Sequence, residues 1–211
     1  MSKNTRNRIL LTAVAALLLV TMAVGGTIAY LQATSGTVTN TFEPTEIEVL
    51  IQEHEIDEDG ELTDVIAADN SNSYEILPGV PMNKDPFVNA SSDVNYYVFV
   101  KVVETNWPTA MDGETRKVSY TIDSYWTELT SAQSTTTVDG KTVITKVYYK
   151  ALNANIPVTN QAVIAGNQIS VSEKLEESEM PTGNATLTFD AYAIQQKPFA
   201  DVAAAWEALG N

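Results

Sequence analysis

The chain has no cysteine and only one histidine, His54, among its 211 residues. Disulfides and thiol chemistry are therefore excluded. A Ser–His–Asp triad has only His54 to draw on, and no serine context marks it. Positive charge is also scarce. Twelve Lys and Arg face 27 Asp and Glu, for a formal charge of −15. Nucleic acid and anionic membrane repel such a surface, so no nucleic-acid partner is expected. There is no Walker loop, no dinucleotide fingerprint and no aromatic–basic ladder. The expected protein is not an enzyme.

What is present begins at the N-terminus. Lys3, Arg6 and Arg8 precede an apolar run from Ile9 to Val24, followed by Gly25-Gly26-Thr27-Ile28-Ala29. A charged region, an apolar region and a small-residue site make a secretory signal peptide. The run is shorter than the roughly 20 residues a spanning helix needs. Thr27 and Ala29 fit the two small positions, which places the cut before Tyr30. Residues 1–29 carry three basic residues and no acid, so the exported chain is three units more negative than −15. Export without cysteine suits the wall or matrix outside a single-membrane bacterium.

Beyond the cut, 30–43 reads as a polar, β-prone arm and 44–211 as one domain. Apolar residues there recur with period two: Ile47, Val49 and Ile51; Val94 to Val103; Val118, Tyr120 and Ile122; Val143 to Tyr149; Ile169 and Val171; Leu187 and Phe189. Such alternation puts one side of a strand on a core and the other in water. Turn signals intervene at Asp59-Gly60, Pro78-Gly79, Asp112-Gly113, Asp139-Gly140 and Thr182-Gly183-Asn184. Asp69–Ser73 and Ser131–Thr137 read as polar loops. Phe199, Val202, Trp206 and Leu209 recur at helical spacing between Pro198 and Gly210, which predicts a short C-terminal helix. The fold class is all-β, an antiparallel β-sandwich closed by that helix.

Two sets of residues carry a family resemblance. One is Gly25-Gly26-Thr27-Ile28-Ala29-Tyr30 with Thr39-Asn40-Thr41-Phe42 and the Ile47-Glu48-Val49 strand. The other is Leu77-Pro78-Gly79 with Lys84-Asp85-Pro86-Phe87-Val88-Asn89 and the strand from Asn95 to Val103. Together they resemble the TasA/camelysin family of exported Gram-positive matrix proteins. The resemblance implies cleavage by a SipW-type signal peptidase, a jelly-roll sandwich and a biofilm or cell-surface role. In its fibre-forming members the freed arm inserts as a strand into the next subunit. Leu31, Val38 and Phe42 are the arm's apolar candidates for such pockets. The expected partners are further copies of the chain, with a co-secreted assembly helper besides. The alternative is a monomeric adhesin or accessory binding module on the same scaffold.

The family includes proteins described as metalloproteases, and His54-Glu55-Ile56-Asp57-Glu58 resembles half of their helix motif. Glu58 stands where the second histidine should be, and the motif needs a helix to bring i and i+4 together. The segment instead follows a strand and enters Asp59-Gly60, which predicts a solvated acidic hairpin. Glu55, Asp57, Asp59 and Gly60 also match the first half of an EF-hand loop, but Ile66 stands at the bidentate glutamate position. Those three acids are the calcium candidates; no other cofactor is expected.

Overall fold

The computed structural model describes residues 46–210. The leader, the cleavage residues Thr27, Ala29 and Tyr30, and the arm residues Leu31, Val38 and Phe42 lie outside the described residues.

The described chain is all-β with one α-helix. Its first strands are β1 (Ile47–Gln52), β2 (His54–Ile56) and β3 (Leu62–Ile66). Next come β4 (Met82–Asn83), β5 (Phe87–Ser92) and β6 (Tyr96–Thr105). The short β7 (Met111–Asp112), β8 (Thr115–Arg116), β9 (Val118–Ser119) and β10 (Thr127–Glu128) follow. Then come β11 (Ser134–Val138), β12 (Lys141–Leu152), β13 (Val158–Ala162), β14 (Gln168–Val171) and β15 (Thr186–Gln195). The helix, α1, is Val202–Ala208.

Two antiparallel sheets make the sandwich. One has the order β1-β5-β13. The other has β10-β12-β6-β15, with β11 also paired to β12. Strands β4, β14 and β9 form a third small sheet, and β2-β3 and β7-β8 are two-stranded ribbons. No ladder joins β1 to β15, although they run close together where the two main sheets meet.

Period two explains the core. On β6, Tyr96, Val98, Val100 and Val102 point inward and meet Val88 and Ala90 of β5. Tyr96 also donates its hydroxyl to the Ile156 carbonyl at 2.8 Å, so the one polar atom it takes inside is satisfied. The outward residue Phe99 is buried as well, because α1 covers that side. A strand covered on both faces reads as a nearly continuous apolar run, as Tyr96 to Val103 does. Val118, Ile164, Ile169 and Val171 form a second cluster with Met82 and Trp107 at the end of the sandwich.

The C-terminal helix forms later than its spacing suggests. Pro198 and Phe199 precede it, and Asp201 caps it by accepting from the Ala204 amide at 2.9 Å. Phe199 packs against the same cluster without being helical.

Other departures concern strand length. Ser131–Thr137 is not a loop throughout: after a single 3-10 turn, Ser134–Val138 pairs with β12. All five of its residues are exposed, so no apolar alternation marks it. The Asp139-Gly140 turn holds it in register, with φ of +50° and +75°, as a two-residue hairpin requires. Toward Ile122 the expected strand stops at Ser119, and Ile122 makes only an isolated bridge to Ile164. No helix among the described residues is long and apolar enough to cross a membrane.

Candidate functional site

A cleft of about 740 Å³ opens where β1 ends and β15 begins. One wall is the stretch from Gly183 to Phe189, which includes the start of β15. The other is Asn70, the last residue of a 3-10 turn, with the extended segment 71–74 and Ile76. Ile51, Met82, Trp107 and Ile169 supply apolar lining, and Glu53 and Lys84 stand among them. β15 ends its sheet, so the strand wall presents an edge that no described strand occupies. Segment 71–76 alternates exposed and half-buried residues, with Asn72, Tyr74 and Ile76 turned inward. It is extended like a strand without belonging to a sheet.

Under the cleft lies a network of charged groups. Lys84 is 7% exposed and pairs with Glu53, which is 4% exposed. The next residue along each segment also pairs: Asp85 takes the His54 backbone N–H at 3.1 Å on Oδ1 and the His54 Nδ1 at 2.6 Å on Oδ2. The His54 ring lies 5.1 Å from that of Phe87. Buried charges persist only when paired and hydrogen-bonded, and this set meets that condition.

Asn72 ties the second wall to the network. Its Nδ2 donates to Glu53 Oε1 at 3.1 Å and to the His54 carbonyl at 2.8 Å, and its Oδ1 accepts from the Ile56 amide at 3.3 Å. The Lys84 ammonium stands 5.4 Å from the ring centre of Tyr74 and 5.8 Å from that of Phe189. The Tyr74 hydroxyl is buried and has no hydrogen-bond partner among the described residues. Burial, and then the charge of Glu53, push its ionisation well above the ordinary phenol range.

The motif at His54 takes a different form from a metalloprotease helix. His54–Ile56 is a strand, and it turns through Asp57–Gly60 into β3. His54 and Glu58 therefore do not share a helical face. Asp57 spends its Oδ1 on its own turn, accepting from the amides of Asp59 and Glu61 at 3.0 and 2.9 Å. Glu55, Asp57 and Asp59 share this hairpin. Among the described residues no group of three or more His, Asp or Glu is placed to hold a metal ion.

The acids singled out in the sequence thus sit beside the site, while Glu53, Asn72, Lys84 and Asp85 form it. One signal for them was available: Lys84-Asp85 stands between apolar Met82 and Phe87, where two charges without partners are costly. No known protein family, curated protein or solved structure matches this chain.

Proposed function

We propose that this chain is an exported structural subunit that assembles by strand addition at the bacterial cell surface or in its matrix. The arm of one copy, residues 30–43, lies in the cleft of the next beside β15. Its backbone extends the sheet, and Leu31, Val38 and Phe42 enter the apolar lining.

The open edge at the start of β15, set in a cleft that mixes apolar with polar lining, is the observation that carries this reading. Natural sheets cover or blunt such edges because they template pairing with another chain. Residues 186–189, the start of the 10-residue β15, line the cleft, and an extended arm of about 40 Å is long enough to pair with them and run on past the strand's beginning. Charge opposes the pairing only weakly: the arm carries one charged residue, Glu43, against an acidic domain.

Two substitutions test the two sides separately. Phe42→Asp removes the arm's largest apolar anchor, worth about 1.5–3 kcal/mol when buried. Ala185→Trp fills the cleft at a half-buried position. Each should leave the circular dichroism β-rich and abolish or shorten oligomers in sedimentation velocity. Mixing the two variants should not restore long fibres, because every arm or every groove along a fibre must work. Unimpaired assembly of Ala185→Trp would place the contact elsewhere.

A further inference from the structure

Glu53, Lys84 and Asn72 do more than satisfy one another. The amine and the carboxamide meet at the two oxygens of one carboxylate, the Asn72 Nδ2 on Oε1 at 3.1 Å and the Lys84 ammonium on Oε2. The ammonium and the carboxylate are buried, with Tyr74 and Phe189 rings beside the amine. Opposite the amide nitrogen, the Asn72 oxygen already receives a backbone N–H, from Ile56. The parts present are a nucleophile, an electrophilic carbonyl, a proton carrier touching both, and a donor on the oxygen where negative charge would develop. No structural reason demands that these residue types converge. A Lys–Glu pair alone would neutralise the charge, and apolar residues of similar size would pack as well or better.

We propose that this cluster is a self-modifying site that joins Lys84 Nζ to Asn72 Cγ as an intramolecular amide. Lys84 passes a proton to the Glu53 carboxylate oxygen it touches. The neutral amine adds to Cγ, and the developing charge on Oδ1 faces the Ile56 amide. Glu53 gives its proton to Nδ2 as the Cγ–Nδ2 bond breaks, then takes the extra proton from the acylated Nζ and passes it to the departing ammonia. The lysine ammonium and the carboxamide become one secondary amide and one ammonium ion. Glu53 ends as the carboxylate it was, and no oxidant, metal or cofactor enters.

The product would close a loop from residue 72 to residue 84. It would fix the cleft wall that carries Tyr74 and Ile76 to the body of the sandwich. A chain without cysteine has no disulfide to do this. Covalent closure works mainly by restricting the unfolded chain, so it would raise resistance to heat and to proteases outside the cell. This chemistry is independent of strand addition, since it is complete within one copy.

The test is the mass of the purified, processed protein with peptide mapping of the full chain. The expected result is a mass lower than the sequence mass by one ammonia per chain. A single linked pair of peptides, one holding Asn72 and the other Lys84, should account for it. Asn72→Ala, Lys84→Arg and the nearly isosteric Glu53→Gln should each restore the unlinked mass, and Glu53→Gln should melt several degrees lower with its circular dichroism unchanged. A wild-type protein of full sequence mass, yielding both peptides unlinked, overturns the proposal. So does loss of one water instead of ammonia, which would mean a bond from Lys84 to a carboxylate. So does a link that persists in Glu53→Gln. Monomeric behaviour of the protein would leave all of these readings unchanged.

Discussion

Phe99 and Trp206 face each other across the outer side of the sandwich, ring centroids 5.2 Å apart and planes tilted by 51°. Tyr192 meets the same indole edge-on at 5.6 Å. Without α1, Phe99 would stand on a solvent face. The helix has only seven residues, too short to hold itself in water. Its stability comes from this contact.

Trp206→Ala should therefore cost about 3–5 kcal/mol, a large share of the stability of one domain. Urea denaturation followed by circular dichroism measures it. Glu207→Ala, on the exposed side of the same turn, should change stability by less than about 0.5 kcal/mol.

Inside the sandwich Glu104 is 3% exposed and holds two partners, Arg116 at 2.7 Å and the Tyr120 hydroxyl at 2.8 Å. Arg116→Met leaves that carboxylate buried without its cation and should cost about 3 kcal/mol. Adding Glu104→Met should recover part of the loss, because the uncompensated charge goes too. A double-mutant cycle in urea gives the sign of the coupling.

Alkaline pH should act through Tyr148. Burial first, and then the charges of Glu128 and Glu104, push its phenol from 10.0 up to about 12. The folded state thus holds this proton more tightly than the unfolded chain. The sign follows: the contribution is complete below pH 10, falls as pH rises, and is gone once pH passes about 12. A tyrosinate absorbance titration should show at least one late phenol. Tyr148→Phe should flatten the decline in melting temperature between pH 10 and 12.

Salt should act on assembly in the opposite direction from its effect on ion pairs. Subunits begun at Tyr30 carry a formal charge three units more negative than the −15 of the full sequence and repel one another at long range. At about 0.15 M salt that repulsion is screened beyond roughly 8 Å. Light scattering should therefore show faster assembly as sodium chloride rises from low concentration. Association that slows with added salt would point to a cationic partner rather than a second copy.

How much of this was legible in the sequence depends on the kind of residue. β6, β12 and β15 carry long alternating rows of Val, Tyr, Ile and Phe, and a buried face writes itself into such rows. α1 was legible from Trp206 and its neighbours at helical spacing. β11 was not, because Ser134–Val138 is exposed throughout and is held by backbone pairing and one turn. β5 was faint for another reason. Its inward residues are Val88, Ala90 and Ser92, small and partly polar, although it is the centre of its sheet. The charged network was the least visible part. Glu53 pairs with Lys84 and His54 with Asp85, each 31 residues apart. Among 27 acids nothing in the sequence marks Glu53 as one that folds inward, and only Asp85 of this network has apolar neighbours that hint at it. Charged residues belong by default on the surface, and only the fold reveals an exception.

Negative-stain electron microscopy of the chain begun at Tyr30, beside the same chain lacking residues 30–43, tests strand addition most directly. The account predicts fibres or chains of subunits from the first. From the second it predicts folded monomers with unchanged β-rich circular dichroism, and a synthetic peptide of residues 30–43 should shorten the fibres of the first. Monomers from the intact chain at high protein concentration and high salt, or fibres that form without the arm, would contradict it.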